Sequence, residues 1–208
     1  SNLKSILLIL SGAILINFAI VYFFKSYSLI SNLILISSLF LIMSSIFDIF
    51  KKSRLSLPRI ISHLSFGFLI LFIGLNHNFS VEKDFNLKLG EAKKIDDYEF
   101  ALLDLKLSQE INYKSVTGKL EVNNSNTMKS RTLYPEIRIY DNPQTLTYEA
   151  SIKTNFLGDH YLTMSNIDRS EYYNIKFQHK PLMIWIWLSV ILLSFGGFLS
   201  LFKNAKNN

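Results

Sequence analysis

The chain contains no cysteine. Its own residues therefore supply no disulfide, no thiolate metal site and no cysteine nucleophile. Charge is scarce as well, since only 18% of the 208 residues are Asp, Glu, Lys or Arg. There are four prolines, eight glycines and two tryptophans. No glycine-rich phosphate loop, Walker pattern or Ser/His/Asp order stands out. The four histidines show no HxxxH or HxH spacing, which argues against a structural zinc site. No residue is assigned a catalytic role on these grounds. The balance of 22 Lys+Arg against 16 Asp+Glu gives a net charge of +6, which at first sight fits a nucleic-acid binder. A hydrophobic content of 49% and a mean hydropathy of +0.23 argue against that class.

What is present is apolar and segregated. Four runs stand out: Ile6 to Phe24, Leu29 to Phe47, Ile60 to Leu75 and Pro181 to Phe202. The third lengthens when Leu57 and Asn76 are counted, and the fourth carries no charge. A hydrocarbon core about 30 Å thick takes roughly 20 helical residues at about 1.5 Å each. No soluble domain of this size could bury four such runs. The expected fold is an α-helical integral membrane protein with four transmembrane helices. Three occupy residues 1–77, at about 5–24, 28–48 and 57–77, and the last lies in 180–208 with a cytoplasmic tail. The first run is long for a signal peptide and lacks a small-residue cleavage site. The chain starts with Ser, so it reads as a fragment or a processed product.

Orientation follows from Lys and Arg in short loops. Lys51, Lys52, Arg54 and Arg59 sit between the second and third runs, opposed by Asp48 alone. Lys25 is the one basic residue between the first two runs, Lys4 precedes the first, and Lys203 and Lys206 follow the fourth. This bias places the second loop and both ends in the cytoplasm. Residues 78–179 are then extracytoplasmic. The stretch from Val81 to Lys180 holds 14 basic and 15 acidic side chains, so the excess positive charge belongs to the helix ends. The charge is a topology signal and needs no nucleic acid.

Residues 78–179 change character. Apolar side chains alternate with polar ones over Phe85–Leu89, Tyr98–Leu102, Leu103–Leu107 and Val116–Val122. The alternation resumes at Ile137–Ile139, Tyr148–Ile152, Tyr161–Met164 and Tyr173–Phe177. A period of two with β-branched and aromatic residues predicts half-buried antiparallel strands. Turns are expected at Leu89-Gly90, Asn123 to Asn126, Asp141-Asn142-Pro143, Gly158-Asp159 and Ser170. Six to eight short strands in about 100 residues predict an all-β, sandwich-like domain with its own core.

His63 is the most informative single residue. It lies four positions past Arg59, about 6 Å deeper along a helix. Ionisable residues inside a membrane usually face a bundle interior, a partner or a cofactor. Position alone leaves two readings open: a hydrogen bond to a neighbouring helix, or a metal or haem-iron ligand. His77, His160 and His179 fall at or outside the membrane surface and read as surface or interface residues. Asn17 and Ser31, Ser37, Ser38, Ser44 and Ser45 suit packing contacts between helices. Trp185 and Trp187 suit a membrane interface, Pro181 suits a first helical turn, and Gly196-Gly197 would permit close helix approach.

Several short motifs go further. Lys180-Pro181, Trp185-Ile186-Trp187 and Gly196-Gly197 resemble the KP, WIW and GG of the last helix of the CcmF family, haem lyase subunits of cytochrome c maturation. Pro135-Glu136-Ile137-Arg138-Ile139-Tyr140 resembles its PEKRxY segment, with Ile137 in place of Lys. Tyr148 to Ile152 resembles TEAAI, Gly158 to Leu162 resembles its DLY strand, and Asn112-Tyr113 resembles its NY. Arg59 and Ser62-His63-Leu64 resemble R…AHLG, with Ser62 for Ala and Ser65 for Gly. The resemblance runs from about Arg59 to Lys203, and the first two helices fit by topology only. The family's tryptophan-rich segment has no match here.

The resemblance implies that His63 is an axial ligand of the iron of a haem b held between membrane helices. The second ligand would come from outside this chain. It further implies the C-terminal portion of a haem lyase that attaches haem covalently to apocytochrome c. That portion would not be active alone, and residues 78–179 would serve as a periplasmic docking domain. The implied partners are the upstream half of the same protein, a haem chaperone, CcmH/CcmI-type thiol- and apocytochrome-handling subunits, and apocytochrome c. The implied location is multi-pass in the bacterial inner membrane. The alternative reading is a non-enzymatic membrane anchor whose β domain binds an envelope protein or ligand.

Overall fold

The computed structural model describes residues 3–24, 28–50, 57–125, 129–167 and 170–205. Lys25, Lys51, Lys52, Arg54, Asn126 and Lys206 lie outside the described residues. The chain divides into a helical unit, residues up to Phe79 and from Pro181, and a β unit, Ser80–Lys180.

The helical unit contains α1 (Leu3–Phe24), α2 (Leu29–Phe50), α3 (Leu57–Phe79) and α4 (Met183–Ala205). All four are long and apolar enough to cross a membrane. In α2 the buried residues are Ser31, Leu35, Ser38, Ile42 and Ser45, a seam spaced alternately by four and three positions. The serine hydroxyls do not reach across helices. Ser38 Oγ donates to the Leu35 carbonyl at 2.8 Å, and Ser45 Oγ to that of Leu41 at 2.8 Å. Once satisfied within their own helix, they act as small side chains that admit a neighbour. Asn17 does make a polar contact between helices: its Nδ2 donates to Asn32 Oδ1 at 3.3 Å.

Glycines bring α3 close to both neighbours. A Cβ on Gly67 would meet Ile42 Cγ1 at 2.7 Å, and one on Gly74 would meet Ile34 Cγ2 at 3.1 Å, both on α2. On the other side, a Cβ on Gly196 of α4 would stand 2.5 Å from Ser62 Oγ and 3.0 Å from the Ser62 nitrogen. Gly197 has nothing within 4 Å, so only the first glycine of the pair serves the approach. Gly196→Ala is expected to weaken the α3–α4 contact by about 1–3 kcal/mol, because the backbone of Ser62 cannot step aside. Gly197→Ala should leave it unchanged. Thermal unfolding of the two variants in detergent separates these outcomes. Equal effects would contradict the packing described.

The ends of α3 and α4 are tied by Asn76, whose Nδ2 donates to the Pro181 carbonyl at 2.5 Å. Pro181 closes a strand rather than opening the helix, and the Leu182 carbonyl accepts the first helical bond, from Trp185 N–H at 3.0 Å. Trp185 then lies beside Phe72 of α3, their rings 5.9 Å apart, whereas Trp187 is exposed.

The β unit has ten strands among the described residues. They are β1 (Val81–Lys88), β2 (Ala92–Ile95), β3 (Tyr98–Gln109), β4 (Tyr113–Asn124), β5 (Lys129–Leu133) and β6 (Glu136–Asp141), then β7 (Gln144–Glu149), β8 (Ser151–Asn155), β9 (Gly158–Asn166) and β10 (Tyr172–Pro181). One sheet runs β1-β10-β9-β8; the other runs β2-β3-β4-β6-β7, with β5 also paired to β4. The two inner faces share a core that includes Phe85, Leu87, Phe100, Leu102, Leu120, Met164, Ile175 and Phe177. This is the sandwich that the alternation predicts.

Three local details depart from the expected strands. Tyr98–Leu102 and Leu103–Leu107 belong to one strand, β3, in which the register against β4 shifts between Leu102 and Asp104. The extra residue, Leu103, accounts for the two adjacent leucines. The Gly158-Asp159 turn is not observed. The chain reverses at Phe156-Leu157, because Asn155 Oδ1 accepts the N–H groups of Leu157 (2.8 Å) and Gly158 (3.0 Å). Finally, β4 pairs β6 over its first half and β5 over its second. Pro135 interrupts the partner, and its carbonyl takes the Gly118 N–H at 2.9 Å.

Candidate functional site

His63 sits in the second turn of α3 and is exposed. The residues that α3 buries are Pro58, Ser65, Gly67 and Gly74. Arg59, His63, Phe66, Ile73 and His77 are exposed and form a stripe between Pro58 and Ser65 on one side and Gly67 and Gly74 on the other. Their spacing of three, four or seven positions keeps them in line along the helix. Among the described residues no hydrogen bond or ion pair reaches His63. The imidazole is exposed, with Phe66 three positions on and Arg59 four positions back, each about one turn away. His77 shares the stripe, but fourteen positions further on, about 21 Å along the axis. The two cannot act on one ion.

The other two histidines behave differently. His160 of β9 and His179 of β10 come together, with ring centroids 4.5 Å apart. His160 is only 8% exposed, so the surface reading is corrected for it. Neighbouring antiparallel strands cause this: a hairpin folded near Ser170 sets position 160 beside 179. The Ser170 turn signal and the spacing of the two histidines already contained that pairing. Arg131 of β5 completes the group by donating to His160 Nδ1. No set of three or more His, Cys, Asp or Glu side chains among the described residues is placed to hold a metal ion.

Burial, then the charge of Arg131 and the neighbouring His179, lowers the His160 imidazole from 6.5 to about 3. His179 is also lowered, by burial above all, against the raising effect of a backbone hydrogen bond to Asp159. Nδ1 of His179 is buried without a partner, so that bond is made through Nε2. Both rings are therefore neutral near pH 7. The unfolded chain takes up protons that the folded domain refuses once the pH falls below about 6.5. Stability from this source is complete above that pH and declines as the pH moves toward 3. The parent chain is expected to lose chemical stability between about pH 7 and pH 4.5, and His160→Gln to lose distinctly less. Guanidinium titrations followed by circular dichroism measure this. Identical pH slopes would contradict the buried neutral ring.

Residues of two of the short motifs, Asn112-Tyr113 and Pro135 to Tyr140, meet in the β unit. Tyr113 pairs with Tyr140 across β4 and β6, with ring centroids 5.3 Å apart. Arg138 lies over the Tyr113 ring at 4.9 Å, and its Nε donates to Glu136 Oε2 at 2.8 Å. Ser151 Oγ accepts the Tyr134 N–H at 2.9 Å. Glu136, Arg138, Tyr140 and Tyr113 thus form one ladder on a sheet face, an arrangement that holds strands together and has the features of a structural element.

Comparison with known proteins bears on both units. A family model described as the CcmF C-terminal beta-sandwich matches residues 78–181. The cytochrome c-type biogenesis protein CcmF of Escherichia coli (strain K12) is 27% identical over 141 residues, covering 68% of this chain and 22% of that protein. The cytochrome c-type biogenesis protein ccl1 of Rhodobacter capsulatus is 28% identical over 153 residues, covering 74% of this chain and 23% of that protein. The chain thus spans less than a quarter of the length of these relatives. A solved structure of the cytochrome c haem lyase CcmF superposes with a TM-score of 0.68 at 17% identity, covering 94% of this chain and 33% of that one. At that identity the likeness establishes the fold.

Proposed function

Because the chain belongs to the CcmF family through its C-terminal β-sandwich, we propose that it acts in cytochrome c maturation as the C-terminal portion of a haem lyase. In this reading His63 supplies one axial imidazole to a haem b in the membrane. The observation that carries it is the placement of His63: exposed, and without a polar partner among the described residues. A membrane histidine left unpaired is costly unless something outside the unit engages it. The donor set fits a haem iron in part. One nitrogen ligand is present, the apolar ring of Phe66 lies one turn further on, and Arg59 offers a cation one turn back. When bound, such a haem supplies one-electron redox chemistry, the relay that keeps an incoming haem iron reduced. The role of this chain is to hold the imidazole on a rigid helix and to close one side of the site. A second ligand would come from the upstream portion of the same protein or its split partner.

The remaining assignments follow from the same reading. Residues 78–179 lie in the periplasm, where the sandwich docks the other maturation subunits or apocytochrome c. The helices are multi-pass in the bacterial inner membrane. Covalent haem attachment belongs to the assembled lyase, not to this chain alone. The alternative of a non-enzymatic anchor is not favoured, since the motif ladder of Tyr113, Glu136, Arg138 and Tyr140 and the family match fall in the same residues. The test is removal of this chain from cells that keep the upstream portion. Haem-stained c-type cytochromes are expected to disappear, and to return when the chain is resupplied. Unchanged cytochromes would overturn the proposal.

A further inference from the structure

The β unit contains a cleft of about 380 Å³. Arg131, His160 and His179 form its polar side, and Val122, Phe156 and Leu157 its apolar side. Its volume lies within the roughly 300–1,000 Å³ of small-ligand sites.

Three features define what would fit. First, Arg131 makes no ion pair among the described residues. Its contact is with His160, which carries no negative charge. A half-buried guanidinium in an apolar-walled cleft favours an anion, and its planar fork matches a carboxylate. Arg131 is also the one fixed cation among the lining residues, so the site balances one negative charge rather than the two of a phosphate monoester. Second, Nδ1 of His179 is buried and unpartnered. The residue lines the cleft, so the polar wall includes an acceptor whose bonding is unmet within the domain. Third, the turn Phe156-Leu157 borders the same cleft with side chains 71% and 74% exposed. Two adjacent large apolar residues at a turn gain roughly 25 cal/mol for each Å² that a ligand covers.

We propose that this cleft binds a carboxylate carried on an apolar body, with Arg131 on the carboxylate and the Phe156-Leu157 turn on the body. The chemistry is shared by small amphipathic acids and by a peptide chain ending in an aromatic residue. The proposal does not depend on the role of His63.

The experiment uses the full chain in lipid nanodiscs, with hydrocinnamate as the probe and hydrocinnamamide as its neutral counterpart. Binding is read from the ring signals of His160 and His179 by NMR. Hydrocinnamate is expected to bind at about millimolar strength, as befits so small a ligand, and the amide about tenfold or more weaker. Arg131→Gln should cost about tenfold, with part of the binding kept in Arg131→Lys. Phe156→Ser, an exposed change with little effect on folding, should weaken binding several-fold. A short peptide ending in phenylalanine, as acid and as amide, identifies the source. A peptide acid that binds about tenfold tighter than hydrocinnamate points to a chain terminus, and weaker binding points to a small acid. Equal binding of acid and amide would overturn the proposal. So would parent-like binding in both Arg131→Gln and Phe156→Ser, or failure of every probe to bind.

Discussion

His63→Ala, in this chain purified together with the upstream CcmF-family portion, is expected to remove the haem b absorbance of the complex. The effect should exceed the roughly 10–100-fold that loss of an outer-shell partner costs a metal site, because here the ligand itself is deleted. c-Type cytochrome yield in the same cells should fall with it. Phe66→Ala is the matched control, since Phe66 shares the exposed stripe but has no donor atom. It should loosen the packing of the macrocycle and leave the absorbance in place. Unchanged haem b in His63→Ala would show that the iron is held by other residues. It would also leave His63 as an unpaired membrane histidine without an account.

Phe100→Ala should produce the largest loss of stability in the β unit. Phe100 is fully buried near the start of β3, and its ring lies 4.6 Å from that of Phe85 and 5.1 Å from that of Phe177. Those partners belong to β1 and β10, so the side chain joins the two sheets. Deleting a ring in such a place costs about 3–5 kcal/mol, from lost transfer energy and the cavity left behind. A domain stable by about 5–15 kcal/mol would keep little margin. At about 4–8 °C for each kcal/mol, the unfolding midpoint should fall by at least about 12 °C. Leu107→Ala, in the same strand but 78% exposed, should shift it hardly at all. Thermal melts of the full chain followed by near-ultraviolet circular dichroism compare the two. Similar small shifts would mean that the sheets are not joined through this ring.

The parts of the fold that follow from period were legible in the sequence, and the parts that follow from pairing were less so. Four apolar runs give four helices because nothing else buries them. Alternation from Phe85 to Phe177 gives a sandwich because both inner faces need apolar side chains. By contrast, the merging of two apolar series into β3 depends on a bulge at Leu103, which alternation alone reads as a break. The turn at Phe156-Leu157 is set by the Asn155 side chain, which outweighs the nearby glycine. The serines of α2 could be located, but not the direction of their hydroxyls, which turn inward to their own helix.

The sites divide in the same way. His63 could be singled out because a histidine in an apolar run is rare. Its exposure could not, since burial depends on which sides of α3 the neighbouring helices occupy. His160 and His179 were visible as residues but were not read as a pair. Their meeting needs the β9–β10 hairpin, and Arg131 joins them from the other sheet. No spacing rule in sequence captures a contact between sheets.

The central claim is that this chain contributes a nitrogen ligand to a haem iron. The most direct measurement labels only this chain with ¹⁵N-histidine, assembles it with the unlabelled upstream portion, and records electron–nuclear double resonance on the oxidised haem b. The account predicts a ¹⁵N hyperfine coupling from one axial imidazole, absent in His63→Ala. A spectrum containing ¹⁴N couplings alone, with haem b fully present, would contradict it.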